Sequence, residues 1–269
     1  MDRLGWAAGE AFELDGVRVG LRVSEPQLLA DAQAYLPPGR EASGSAEVSH
    51  IYSLVGGGGG ARPGVRRFNL AYSGGSRIAR SHDVRDAFEA MEASMRLFIA
   101  MRAQRLYVHS GAVGLARGAL LLPGCSGAGK TTLVRSLLGA GASYFSDEYA
   151  VLDADARLHP FARDLSVRQD GDHPLRLPPA ALGSPAGRGP ARVGLVLLTR
   201  YRAGARFRPR RLTGGPALLG LLAHAVPARI RPEDTVEGLA RLVGRAVVLQ
   251  GVRGEVEQVS EWLSREGWL

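Results

Sequence analysis

The stretch LLLPGCSGAGKTTLVRSLLGAG, residues 120–141, decides the fold around it in this 269-residue chain. Gly124, Gly129, Lys130 and Thr131 fit the spacing G-x-x-x-x-G-K-[ST], and they lie between an apolar run and an amphipathic run. The glycines allow backbone angles that turn successive amide N–H groups into one concavity, and a helix that begins there adds its positive end. The stretch therefore predicts a strand, a phosphate-binding loop and a helix.

Lys130 is the one lysine of the chain, beside 33 arginines. An ammonium is a compact charge that can enter a ring of backbone amides, whereas a guanidinium is a broad planar fork, so the lone lysine marks a place where arginine fails. We expect Lys130 to reach the β- and γ-phosphates of ATP, and the Thr131 hydroxyl to be a ligand of Mg²⁺. Nucleotide contacts are expected from Gly124, Ser126, Gly127, Ala128, Gly129, Lys130, Thr131 and Thr132.

The composition is that of an ordinary globular protein, with 45% hydrophobic and 22% charged residues. The formal net charge of +8 favours anionic partners, but the basic residues are spread among 26 acids, which argues against nucleic-acid binding. No apolar run reaches membrane-spanning length, and the first residues lack the apolar core of a signal peptide. With Cys125 as the one cysteine, no intrachain disulfide forms. We expect a cytoplasmic protein without a membrane partner. The sequence leaves open whether the protein forms a homo-oligomer.

Hydrophobic periodicity predicts two domains. Period-2 alternation over residues 17–23 predicts a strand followed by a helix, and apolar spacing over 84–105 predicts an amphipathic helix that leads into the second domain. Residues 1–104 are therefore expected to form a small α/β domain, and 105–269 a larger α/β domain with the phosphate loop. In the larger domain, strand, helix and strand around the loop predict a βαβ-like unit.

Two acids follow the loop helix at a distance that suits a kinase. Asp147 and Glu148 are expected to end an apolar strand, 17 and 18 residues after Lys130. A carboxylate at that point can accept the hydroxyl proton of an acceptor, so Asp147 is a candidate catalytic base and Glu148 a candidate metal ligand; a capping role is the alternative for both.

His109 is expected at the end of a strand just before the loop, and it is a candidate catalytic residue although a lone histidine is more often structural. The other histidines have no metal-ligand spacing, and we interpret them as structural or exposed: His50, His82, His159, His173 and His224.

The segment VHSGAVGLARGALLLPGCSGAGKTTLVRSLLGAGASYFSDEYAVL, residues 108–152, resembles the catalytic domain of the HPr kinase/phosphorylase family. The resemblance implies a P-loop kinase domain of the HPr kinase/PEP carboxykinase-like type. It implies that His109 lies near the transferred phosphate, that Lys130 and Thr131 hold phosphate and magnesium, and that Asp147 is the base. This chain has Glu148 where family kinases usually have a second aspartate. It is most similar to the shorter HPr kinase-related proteins, some of which phosphorylate peptide precursors.

These features predict an ATP- and Mg²⁺-dependent kinase that phosphorylates a serine hydroxyl of a protein or peptide acceptor. A small-molecule kinase of the shikimate or adenylylsulfate type and a non-enzymatic nucleotide-gated regulator are the alternatives. The arginine-rich stretch TRYRAGARFRPRRL, residues 199–212, either binds an acidic acceptor or the transferring phosphate, or is a solvated loop between a strand and a helix.

Overall fold

The computed structural model describes residues 5–45, 47–58, 67–124, 129–167 and 175–269. The chain divides into two compact units, Met1–Gln104 and Arg105–Leu269. Both units combine β-sheets with helices, which confirms the expectation of an α/β fold.

The N-terminal unit is a mixed sheet with two helices. Its elements are β1 (Ala8–Leu14), β2 (Val17–Val23), α1 (Pro26–Ala32), β3 (Glu41–Ala42), β4 (His50–Val55), β5 (Asn69–Ser73), β6 (Ser76–Ser81) and α2 (Val84–Arg102). The strand order is β3-β1-β2-β4-β5-β6; β2 and β4 run parallel, and the other neighbouring pairs run antiparallel. The strand predicted over residues 17–23 is β2 and the helix predicted after it is α1, so both predictions are confirmed. The strand β1 was not predicted; it forms a hairpin with β2, and the turn residues Asp15 and Gly16 both have positive φ.

The C-terminal unit contains the phosphate-loop segment. Its strands are β7 (Leu106–Leu115), β8 (Gly118–Pro123), β9 (Ser143–Ser146), β10 (Tyr149–Leu152), β11 (Arg157–His159), β12 (Leu165–Val167), β13 (Leu175–Leu177), β14 (Ala191–Tyr201), β15 (Arg210–Leu212) and β16 (Val247–Arg253). Its α-helices are α3 (Lys130–Gly139), α4 (Gly214–Leu222), α5 (Pro232–Arg245) and α6 (Val256–Arg265).

The main sheet of this unit has the order β11-β10-β7-β8-β14-β16-β15, and β9 also pairs with β7. The strands β8, β14 and β16 run parallel, whereas β7 is antiparallel to β8, β9 and β10. A further antiparallel pairing of β11 with β14 closes β7, β8, β14, β11 and β10 into a ring. The sheet is therefore a small barrel extended on one side by β16 and β15.

The expected βαβ-like unit has a different topology from a simple crossover. After α3 the chain enters β9, which pairs with β7 and does not lie beside β8. The parallel neighbour of β8 is β14, which comes much later in the sequence. The strand β9 still runs in the direction of β8, with β7 between them.

Alternate residues of the central strands pack on opposite faces of the sheet. Leu120, Leu122, Leu195 and Leu197 pack with α3 and α6, whereas the intervening residues of β8 and β14 pack with α4 and α5. Burial on both faces explains why these strands are continuous apolar runs in the sequence. Because β8, β14 and β16 run parallel, their carboxyl ends lie at one edge of the sheet, where α3 begins. None of the helices in the described ranges is long and apolar enough to cross a membrane.

Candidate functional site

The loop after β8 is anchored at its first and last described residues. The amide of Gly124 donates to His109 O at 3.2 Å, which ties the loop to β7. Gly129 is the N-cap of α3 and has φ 75°, a left-handed conformation that favours glycine. Residues 125–128 lie outside the described residues, and with them the contacts expected from Ser126, Gly127 and Ala128.

Lys130 is the first residue of α3, and its side chain turns back over the loop. Its Nζ donates to Gly124 O at 2.6 Å and lies 3.5 Å from Nε2 of His109. Of the two threonines that follow, Thr131 is half-buried and Thr132 is exposed. The structure thus brings Gly124, His109 and Lys130 into direct contact.

Two histidines share the electrostatic environment of Lys130. Burial, followed by the positive charge of Lys130, lowers the pKa of His109 below its usual value of 6.5, while Glu148 acts in the opposite direction. Burial and Lys130 also lower the pKa of His224, whose carbonyl accepts a 2.8 Å hydrogen bond from the His109 amide. A neutral His109 can present Nε2 as an acceptor beside the ammonium.

His224 was not expected at this site, because it lies after α4 and has no sequence motif around it. Its position depends on the pairing of residues near Ala225 with β7, which is a long-range contact.

Asp147 and Glu148 directly follow the end of β9 at Ser146, as expected, and β10 begins after them at Tyr149. The strands β9 and β10 both pair with β7, and the two acids lie between them, where the Ser110 amide donates to Glu148 O at 2.9 Å. Ser146 Oγ accepts from the amides of Glu148 and Tyr149 and so fixes this break. Because Ser110 of β7 also pairs with Pro123, the last residue of β8, the acids and the start of the loop flank the same part of β7 from its two sides.

The Asp147 carboxylate is held in a fixed orientation. The residue is 7% exposed, and its Oδ1 accepts a hydrogen bond from Tyr144 Oη at 3.1 Å. Burial and the negative charge of Asp147 raise the pKa of Tyr144 far above its usual value, so the phenol stays a donor. A buried carboxylate with a fixed orientation can act as a general base for a hydroxyl group placed beside it.

Glu148 forms an ion pair with Arg163, and both side chains are mostly buried. Sequence reasoning did not identify Arg163, which lies in an irregular segment after β11. An arginine that holds the carboxylate competes with any cation for it, since both bind the same oxygens. Within the described ranges, no group of three or more His, Cys, Asp or Glu side chains is placed to hold a metal ion. Magnesium in phosphate sites keeps several waters and takes few protein ligands, so one hydroxyl and one carboxylate fit it without such a group.

Arg253, the last residue of β16, was also missed. Its guanidinium donates to Gly129 O at 3.1 Å and to Gly254 O at 3.2 Å, and the residue is 3% exposed. It lines a small cavity together with Thr199, Gly129 and Lys130. A signal existed, since an arginine that ends a largely apolar parallel strand lies at the edge of the sheet where ligands bind.

The site therefore combines two cations at the ends of the loop with a buried carboxylate and a neutral histidine on the adjacent strands. Such a set can bind an anion and take up a proton. Comparison with known proteins adds no assignment, because no family model and no curated protein matches the sequence.

Proposed function

We propose that this protein is a kinase that uses ATP and Mg²⁺ to phosphorylate a serine hydroxyl of a protein or peptide acceptor, with a C-terminal unit of the HPr kinase/PEP carboxykinase-like type. The observation that carries the proposal is the position of Asp147, whose carboxylate is fixed by Tyr144 and which lies across β7 from the end of β8, where the loop to Lys130 begins. A phosphate loop alone binds a nucleotide, but a carboxylate beside it can also activate an acceptor.

Nucleotide binding would use the loop cations. Lys130 would exchange Gly124 O, a neutral acceptor at 2.6 Å, for the oxygens of the β- and γ-phosphates. The amides at the N-terminus of α3 add favourable partial charge at the same point. Arg253 holds the Gly129 carbonyl and keeps a second positive charge close to this end of the loop.

Phosphate transfer would use the carboxylate of Asp147. In the proposed reaction the serine hydroxyl attacks the γ-phosphorus, its bond to ADP breaks, and Asp147 accepts the hydroxyl proton. Tyr144 orients this carboxylate, and His109, which is neutral and 3.5 Å from Lys130 Nζ, accepts a hydrogen bond without adding charge. Thr131 and Glu148 would hold Mg²⁺, which neutralises phosphate charge when it is bound.

Transfer of γ-labelled ATP tests this proposal. The full chain is incubated with Mg²⁺, γ-labelled ATP and serine peptides with acidic, neutral or basic flanks, and label is counted in peptide and in free phosphate. We expect label in peptide, and we expect Asp147→Asn to lower that transfer by a factor of about a hundred to ten thousand while nucleotide affinity is kept. Asp155→Asn is the matched control, because it removes an equal charge from an exposed turn.

Each other outcome favours a named alternative. ATP binding without any release of label would favour a non-enzymatic nucleotide-gated regulator. Label in free phosphate alone would show hydrolysis of ATP without transfer and would contradict the kinase proposal. Transfer to small hydroxyl compounds and not to peptides would favour a small-molecule kinase. Undiminished transfer by Asp147→Asn would exclude this carboxylate as the base.

A further inference from the structure

Six arginines lie between the end of β14 and the start of α4 in the C-terminal unit. We call them the arginine surface: Arg200, Arg202, Arg206, Arg208, Arg210 and Arg211. All six are exposed. The sequence left open whether residues 199–212 bind an anion or form a solvated loop; in the structure β14 extends to Tyr201, and residues 210–212 form β15 on the outer edge of the main sheet.

The backbone that carries the arginine surface is fixed by packing. Ala205 and Phe207 are buried between the exposed arginines, so outward and inward side chains alternate. The Phe207 ring packs edge-on against Trp262 at 5.6 Å between centroids, and its amide donates to Gln258 Oε1 at 3.0 Å. Alternation on a fixed backbone presents a row of cations, which a freely solvated loop does not.

Within the described residues, none of the six side chains forms an ion pair with a carboxylate. Arg210 donates to the amide oxygen of Gln250 at 3.1 Å, and the neighbouring acid Glu255 accepts instead from Tyr201 Oη. Arginines elsewhere in the chain do pair with acids, as Arg163 and Arg241 do. Like charges concentrated without counter-charges favour the approach of an anion.

The arginine surface adjoins the phosphate loop. The amide of Arg202 donates to Arg253 O at 2.9 Å, and the guanidinium of Arg253 contacts Gly129. An extended peptide advances about 3.3 Å per residue, so an acceptor whose serine reaches the loop can place nearby residues along these arginines.

We propose that the arginine surface binds an acidic segment that flanks the serine of a peptide or protein acceptor. The inference rests on the proposed kinase function for the identity of that acceptor. A nucleic acid fits the row of cations less well, because single-stranded nucleic acids need exposed aromatic faces for stacking. Phe207 is buried, and Arg253 lies over the ring of Tyr201 at 5.4 Å.

The test measures binding without ATP. The probes are a fluorescent peptide with one serine among glutamates, the same peptide with glutamines, and a single-stranded oligonucleotide. We expect the acidic peptide alone to bind, and we expect the triple variant Arg206→Gln, Arg208→Gln, Arg210→Gln to weaken it by about tenfold at low salt, with a smaller loss at high salt. The matched control is Arg157→Gln, Arg188→Gln, Arg192→Gln, which removes the same charge from exposed positions of the same unit and is expected to keep full affinity.

Several results would overturn the inference: equal binding of the acidic and neutral peptides, an equal loss in both triple variants, or a tenfold loss for the oligonucleotide without one for the acidic peptide. Affinity for a fluorescent ATP analogue should not change in either variant, and its loss would also contradict the inference. The kinase proposal fails separately. If the acidic peptide binds but is not phosphorylated, docking stands and the kinase proposal falls. If peptides are phosphorylated equally whatever their charge, the kinase proposal stands and docking on the arginine surface falls.

Discussion

Replacing Gly129 by alanine probes the contact between β16 and the phosphate loop. At φ 75°, alanine costs about 1–2 kcal/mol, and its Cβ would overlap Nη2 of Arg253. Because Arg253 is buried, a displaced guanidinium loses its hydrogen bond to Gly129 O, a charged bond of about 1.5–3 kcal/mol. We therefore expect Gly129→Ala to lower the free energy of unfolding by about 2.5–5 kcal/mol.

A double-mutant cycle separates the two costs. In the Arg253→Met variant the side chain ends before the position of Nη2. In that background Gly129→Ala should therefore lower the free energy of unfolding only by the cost of the left-handed conformation, about 1–2 kcal/mol. Urea unfolding followed by tryptophan fluorescence gives the free energies. All variants carry Trp6→Phe, because Trp262 and Trp268 then report on the C-terminal unit alone.

The outcome has a clear reading. A coupling of about 1.5–3 kcal/mol between the two substitutions supports the contact. An equal cost of Gly129→Ala in both backgrounds would refute it, because the strain would then be purely local and Arg253 would not lie against the loop.

Further predictions concern charge in the same site. Because the pKa values of His109 and His224 are lowered, the folded state binds fewer protons than the unfolded state below about pH 6.5, and the free energy of unfolding should fall as the pH drops. Urea titrations between pH 7 and 5 measure this slope. We expect Lys130→Met to flatten the slope, because it removes a positive charge beside both histidines, and Lys130→Arg to keep it. Both Lys130 variants should lose affinity for an ATP analogue, because methionine has no positive charge and a guanidinium does not fit the ring of amides. Glu148→Gln should raise the Mg²⁺ concentration needed for half-maximal ATP binding, whereas Arg163→Gln should lower it by removing a competing cation; shifts in the same direction would contradict a metal role for Glu148.

The sequence was sufficient where one local signal determines structure. The start of α3 at Lys130 follows from Gly129 and the residues around it, because the left-handed cap and the helix are made by neighbouring residues. The long helix α2 was predicted from apolar spacing, and it ends at Arg102, three residues before the expected end. The continuous apolar run before the loop likewise located β8.

The other features of the site could not be predicted, because they depend on pairing between residues far apart in the sequence. Nothing local in the Asp147-Glu148 segment indicates that β9 and β10 are two halves of one edge along β7, since this depends on residues more than thirty positions earlier. The same holds for His224 and Arg253, which reach Lys130 and Gly129 only after the sheet has formed.

The positions of the two loop cations suggest why the site can stay folded without a bound anion. Lys130 and Arg253 each donate to a backbone carbonyl at one end of the loop, Gly124 O and Gly129 O. A buried or half-buried cation without an acceptor is costly, so these carbonyls stabilise both charges in the absence of a ligand. A carbonyl is nevertheless a weaker partner than an anionic oxygen, because a phosphate oxygen adds the attraction between opposite charges to the hydrogen bond. Exchange of Gly124 O for a phosphate oxygen is therefore favourable at Lys130 without unfolding the loop. Arg253 can keep Gly129 in its left-handed conformation throughout, and it is this division of roles that the alanine cycle measures.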